Sequence, residues 1–301
     1  MDEFVRNLIY KKIRLGKLSV SVLDILLAVC ITGVGLFLRE SVMDYMPVTE
    51  IKLVVVAMDF FMAILGAAFI WGRTHSRNKA FLTYAIMVIW PVFAANSALW
   101  GKNGSFIGVL LILALLLYDR NMKAISLVSL AAGVAVAVLG FQAPAADDLL
   151  TLGWPNIFEL TGKFMFVELY DKVSLLFIAG ILLCMGYCMK KKSLKITKEA
   201  LVPLLLFLAV FLPYFAPYMP VWAGYGADVL AVLFAVLVPK KFYVAFLHVI
   251  VSYSAYAYML NGETKLPMVL YSVILFVLLA DVGAYAYEQL TAEKKEEING
   301  I

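Results

Sequence analysis

Residues 217–243 read PYMPVWAGYGADVLAVLFAVLVPKKFY. A loop with three aromatics and no charge leads into Asp228. An apolar run then extends to Val238 and stops at Pro239, Lys240 and Lys241. Such a run, closed by paired lysines, suits hydrocarbon followed by a headgroup layer. The same pattern recurs along the chain at about 19–38, 52–71, 80–95, 105–118, 123–141, 173–189, 200–215, 223–238, 242–260 and 267–287. Composition agrees. With 64% hydrophobic residues, 15% charged residues and a mean hydropathy of +0.93, the apolar surface exceeds what a water-soluble core of 301 residues can hide. Backbone groups in lipid must be satisfied within their own segment, and unbroken apolar runs favour helices over a barrel's alternation. The expected fold is all-α: one polytopic transmembrane domain, 1–301, with about ten helices.

Basic residues resist translocation, so their placement predicts orientation. Arg6, Lys11, Lys12, Arg14 and Lys17 precede the first run; Arg73, Arg77 and Lys79 follow the second; Arg120 and Lys123 follow the fourth. Lys190, Lys191, Lys192, Lys195 and Lys198 follow the sixth, Lys240 and Lys241 the eighth, and Lys294 and Lys295 the tenth, so 19 of the 25 basic residues fall on one alternating set of loops. Both termini are expected in the cytoplasm: a basic segment 1–17 leading into a signal anchor, and a tail 288–301. The net charge of +4 is then a matter of topology, and no nucleic-acid partner is implied. Cys30, Cys184 and Cys188 all fall inside the apolar runs and are expected as small packing residues.

Polar chemistry has few places to sit. The outward loop 142–172 contains GWPNIFELTG, where Pro155 suits a first helical position and Ile157, Leu160, Phe164 and Val167 recur at helical spacing. A helix lying in the outer interface is expected there, serving either as a lid or in substrate binding. The first outward loop carries Glu40, Asp44 and Glu50, with Tyr45 beside the middle acid. Asp44 suits a general base, a carboxylate ligand for a divalent cation, or a solvated charge. Asp24, Asp59, Asp228 and Asp281 lie within or at the edges of apolar runs. For Asp59 and Asp228 a buried structural hydrogen bond is the favoured role, against a proton or ion path. His75 and His248 have no metal-ligand spacing around them, and Walker, glycine-rich nucleotide and nucleophile-elbow motifs are absent. No cofactor or metal site is argued.

Four stretches carry a family resemblance: DYMPVTEIKLVVVAMDFFMAIL (44–65), NSALWGKNGSFIGVLLILALLLYDRN (96–121), GWPNIFELTG (153–162) and YGADVLAVLFAVLVPKKFYVAFLHVIVSYSAYAYML (225–260). In order and topology the chain resembles bacterial membrane glycosyltransferases of the GT-C superfamily, in the mannosyltransferase-like branch. The resemblance implies transfer of a sugar from a polyprenyl-phosphate-linked donor to an extracytoplasmic glycan or glycolipid acceptor, in the bacterial cytoplasmic membrane. Asp44 would be the catalytic base. Tyr45, Trp100, Lys102, Asn103, Gln142, Asn156, Tyr218 and Trp222 would line the substrate site. The chain departs from the family at several points. Residues 218–223 stand where relatives keep a histidine-rich motif with glutamate and arginine. Gly104 replaces an expected aspartate, Lys102 replaces a glutamine, and the chain is shorter. These departures motivate the alternative expectation, an inactive membrane protein that binds lipid or scaffolds a cell-envelope assembly enzyme. A secondary transporter is not favoured, because no internal repeat is visible.

Overall fold

In the computed structural model, residues 12–15, 18–45, 50–139, 150–161 and 167–299 are described. Twelve α-helices dominate them. In order they are α1 Val22–Met43, α2 Glu50–Thr74, α3 Arg77–Ile89, α4 Pro91–Ala94, α5 Gly104–Asp119, α6 Lys123–Leu139, α7 Phe158–Thr161, α8 Val167–Lys191, α9 Lys198–Phe215, α10 Tyr225–Leu237, α11 Phe242–Asn261 and α12 Met268–Asn299. Strands are minor: β1 (Lys12–Leu15) pairs antiparallel with β2 (Leu18–Ser21), and β3 (Thr151–Leu152) pairs parallel with β4 (Met219–Pro220). The hairpin falls inside and just after the basic N-terminal segment. The last helix continues to Asn299, so most of the expected tail is helical.

Helix ends follow local chemistry. Ser21 caps α1 and Asp24 returns the bond, a reciprocal capping box. Ser76 and Thr197 cap α3 and α9. Gly262 closes α11 with φ 72, a left-handed conformation that glycine takes without strain.

Among the described residues each of the ten apolar runs lies largely on helix, but the lengths are unequal. Six helices among the described residues are long and apolar enough to cross a bilayer alone. The run at 80–95 is broken between α3 and α4 by a bend of 44°. Pro91 is the cause, because it lacks the amide hydrogen that would continue the ladder and pushes Trp90 out of helical geometry. A wide π-type turn, Ala95–Leu99, follows. Helix α5, helix α6 and the segment Val221–Leu237 are apolar but shorter.

Helix α10 is the axis of the bundle, with almost every residue from Ala227 to Val236 buried. Helix α5 reaches it through Gly104 and Gly108. A Cβ at Gly104 would lie 2.7 Å from the Tyr225 ring, and one at Gly108 would lie 2.2 Å from Met62 Sδ, so the GxxxG spacing lets α5 press against α2 and α10. Helix α8 behaves in the opposite way: only 6% of its apolar window is buried. Cys30, Cys184 and Cys188 are exposed, contrary to the expected packing role, because they sit on the outer faces of α1 and α8.

The segment after residue 149 also departs from expectation. Trp154, Asn156 and Phe158 are 1%, 0% and 3% exposed, so residues 154–158 enter the bundle instead of lying on its surface; the helix described there is the short α7, and Phe164 of the expected helix lies outside the described residues. Ring burial explains the choice. Trp154 packs its ring against the bare backbone of Gly224, where a Cβ would stand 2.0 Å from it.

Candidate functional site

Three of the four intramembrane acids find a cation, and the fourth finds a histidine. Asp24 pairs with Arg77, and Asp281 pairs with Lys241 at 2.5 Å while accepting from Tyr243 at 2.7 Å. The other two lie deep in the bundle, each at the centre of its own group of polar side chains.

Asp59, on α2, is 1% exposed. Arg39 of α1 donates to its Oδ2 through Nη2 at 2.8 Å and Nε at 3.0 Å, and Ser97 donates to the same oxygen at 2.5 Å. Ser105 and Tyr225, the latter at 3.2 Å, donate to Oδ1. The third guanidinium nitrogen donates to the carbonyls of Gly35 (3.0 Å) and Val88 (2.9 Å), and the Phe60 ring lies 4.9 Å from the guanidinium carbon. The wide turn after Pro91 presents Ser97, and the GxxxG contact presents Ser105. A buried ion pair is tolerable only with its remaining lone pairs and protons satisfied, and here they are.

Asp228, on α10, is 2% exposed and its Oδ1 lies 2.8 Å from His248 Nδ1 of α11. Ser252 lies 3.5 Å from the same nitrogen, and Tyr256, one turn further on, accepts from Asn96 Nδ2 at 2.7 Å. The Trp154 ring stands 6.0 Å from the imidazole. Asp228 Oδ2, His248 Nε2, Trp154 Nε1 and Asn96 Oδ1 are buried without a partner among the described residues. The spacing 248, 252, 256 is legible as one face of a helix, but nothing in the sequence says that this face meets Asp228. Arg39 was equally hidden, because it lies at the end of its apolar run and counts there as a loop charge.

The candidate residues gather at the end of the bundle away from Arg73, Arg77 and Lys198. Asp44 caps the end of α1 and is exposed, and Tyr45 beside it is 78% exposed. Lys52 runs beneath them, 3% exposed, with its ammonium 3.5 Å from the Met43 carbonyl and within electrostatic reach of Asp44. Its stem packs against Gly101, whose φ of 60 turns the chain between half-buried Trp100 and Lys102. Lys102 Nζ in turn lies 4.2 Å above the Trp222 ring. Positions 44, 52, 100–102 and 222 therefore form one connected patch at the mouth of the bundle.

Other expected members do other work. Asn103 ties α5 to α6 by donating to the Val136 carbonyl at 3.1 Å. Asn156, expected in the substrate site, is fully buried. It donates to the carbonyls of Leu150 and Ala216 and accepts from the Phe158 amide, so it pegs the inserted segment in place. Tyr218 is half-buried with φ 58 and its amide donates to the Leu150 carbonyl. Gln142 lies outside the described residues.

A groove of about 1440 Å³ opens on the opposite, basic end, and none of these candidates lines it. Among the described residues no three histidine, cysteine or carboxylate side chains are placed to hold a metal ion. No protein-family model matches the sequence, and no curated protein or solved structure matches it.

Proposed function

We propose that the protein is a GT-C-like glycosyltransferase of the bacterial cytoplasmic membrane, with about ten crossings, both termini in the cytoplasm, and a substrate site at the Asp44 mouth. The observation that carries this is the linkage of Asp44 through Lys52 to Lys102 on Trp222: one carboxylate and two cations at a membrane–water boundary. A carboxylate there can take the proton from an acceptor hydroxyl as its oxygen attacks the anomeric carbon. The bond from that carbon to the donor phosphate breaks, and the polyprenyl phosphate leaves with the electron pair. The ammonium groups of Lys52 and Lys102 offset the charge that grows on the leaving phosphate, and the Asp44 proton is then lost to water. Trp100, Tyr45 and Trp222 supply apolar surface for a sugar ring and a lipid tail.

The test is transfer of radiolabelled sugar from polyprenyl-phosphate mannose, and from the corresponding glucose and galactose donors, in proteoliposomes of the purified chain. Wild-type protein is expected to form a labelled acceptor, and Asp44→Asn to lose at least about a hundredfold in rate while eluting normally. Wild-type vesicles inactive with every donor would overturn the proposal.

A second function, a non-catalytic partner of an envelope enzyme, is favoured by one observation. Asp44 is exposed, so water, not an apolar wall, surrounds much of the proposed base. Stable co-purification with such an enzyme, unchanged in Asp44→Asn, would support that alternative.

A further inference from the structure

The groove at the basic end lies between α1 and the facing halves of α2 and α3. Its walls are apolar: Ile25, Val29 and Leu36 from α1, Leu65 and Phe69 from α2, Phe81 from α3. Ile25, Val29 and Leu36 are 40%, 64% and 50% exposed, so the groove opens sideways, toward the lipid that surrounds a membrane bundle. The hydroxyls of Thr32 and Tyr84 meet at 2.6 Å on its wall, and Thr32 also donates to the Ala28 carbonyl, so hydrocarbon passing over them leaves no polar group stranded. From Asp24 to Leu36 the helix rises about 18 Å at ~1.5 Å per residue, close to the ~15 Å depth of one leaflet's hydrocarbon.

The rim is charged. It holds Arg73, Arg77, Arg120 and Lys198 against Asp24, Asp119 and Glu199, four cations to three carboxylates, an excess of one positive charge. Arg73 is committed to both oxygens of Asp119 at 2.7 Å, and Arg77 is paired with Asp24. Lys198 donates to a carbonyl, that of Asp119, at 3.0 Å, which leaves its charge uncompensated. Arg120 and Lys198 are both exposed. One unneutralised positive charge at the headgroup level above an apolar slot complements one phosphodiester above one or two acyl chains.

We infer that this groove binds an anionic phosphoglyceride from the leaflet at the basic end, with its acyl chain along α1 and its phosphate at Arg120 and Lys198. The site is separate from the Asp44 mouth and does not depend on sugar transfer.

Two substitutions separate the acyl slot from the phosphate grip. Gly33 lines the groove and a Cβ there would meet nothing within 4 Å, so the ring of Gly33→Phe starts from open space and projects into the slot. Arg120→Gln with Lys198→Gln turns the rim's excess of one positive charge into an excess of one negative charge and leaves the Arg73–Asp119 pair intact. The full chain is taken from vesicles of equal phosphatidylcholine and phosphatidylglycerol, and retained lipid is counted by native mass spectrometry, with gel-filtration profile and helicity as controls for folding. Wild-type protein is expected to retain phosphatidylglycerol about tenfold over phosphatidylcholine. The double glutamine variant should bring that ratio close to one, and Gly33→Phe should remove the retained lipid altogether. Equal retention of both lipids by the wild type would overturn the inference. So would retention undiminished in a well-folded Gly33→Phe, or displacement of phosphatidylglycerol by an equal amount of added polyprenyl phosphate.

Discussion

Asp59 and Asp228 are both buried carboxylates in the interior of one membrane bundle, yet they are treated differently. Asp59 has a permanent cation, two serines and a tyrosine, and every nitrogen of its arginine is used. Asp228 has a histidine on one oxygen and no partner on the other among the described residues, and the far nitrogen of that histidine is unpaired too. The first arrangement fixes α1, α2, the wide turn, α5 and α10 about one charge. The second joins only α10 to α11 and keeps hydrogen-bonding capacity in reserve. Complete satisfaction makes a lock; partial satisfaction makes a site that tolerates exchange of protons or partners.

The largest expected effect therefore comes from leaving Asp59 alone. Arg39→Ala should destabilise the bundle by about 3–5 kcal/mol, because it strands a buried charge, whereas the double change Arg39→Met with Asp59→Leu should recover at least half of that loss. Urea unfolding in mild detergent, followed by tryptophan fluorescence, measures both; equal instability of the single and double variants would break the comparison. Asp228→Asn should cost less, about 1–3 kcal/mol in the same experiment, since an amide oxygen still accepts from His248 and only one oxygen was in use. A loss as large as that of Arg39→Ala would mean that Asp228 is as tightly locked as Asp59. Smallest is Tyr225→Phe, about 1 kcal/mol, because the carboxylate keeps four other donors. A larger cost would identify the tyrosine as the true link between the two clusters.

The bundle was legible because hydrocarbon imposes one rule on every segment: apolar runs must be helices. The ten runs accordingly fall largely on helix among the described residues, and the break at Pro91 follows from proline chemistry that the uninterrupted run at 80–95 concealed. Helix lengths were less legible, since an apolar run does not reveal whether a helix crosses straight, bends or stops short. Partner identity was legible only within a helix. The 248, 252, 256 face can be counted along the chain, but the Asp228–His248 and Arg39–Asp59 pairs depend on how helices twenty residues apart are rotated against each other. Rotation is set by close contacts such as Gly104 on Tyr225 and Trp154 on Gly224. The apolar spacing of the segment after residue 149 misled for a related reason: an amphipathic period fits burial against protein as well as burial in an interface, and the bare backbone of Gly224 decided the matter.

The close chain separation of Arg39 and Asp59 has a consequence for biogenesis. They lie on two consecutive long helices, twenty residues apart, and each alone would be a poor candidate to leave the translocon for fatty surroundings. Paired as a hairpin, the two segments cancel each other's charge before any later helix has been made. Ser97 and Ser105 then arrive within the next few dozen residues, and only Tyr225 comes much later in the chain. Nascent chains halted shortly after residue 105 should thus already be anchored in the bilayer.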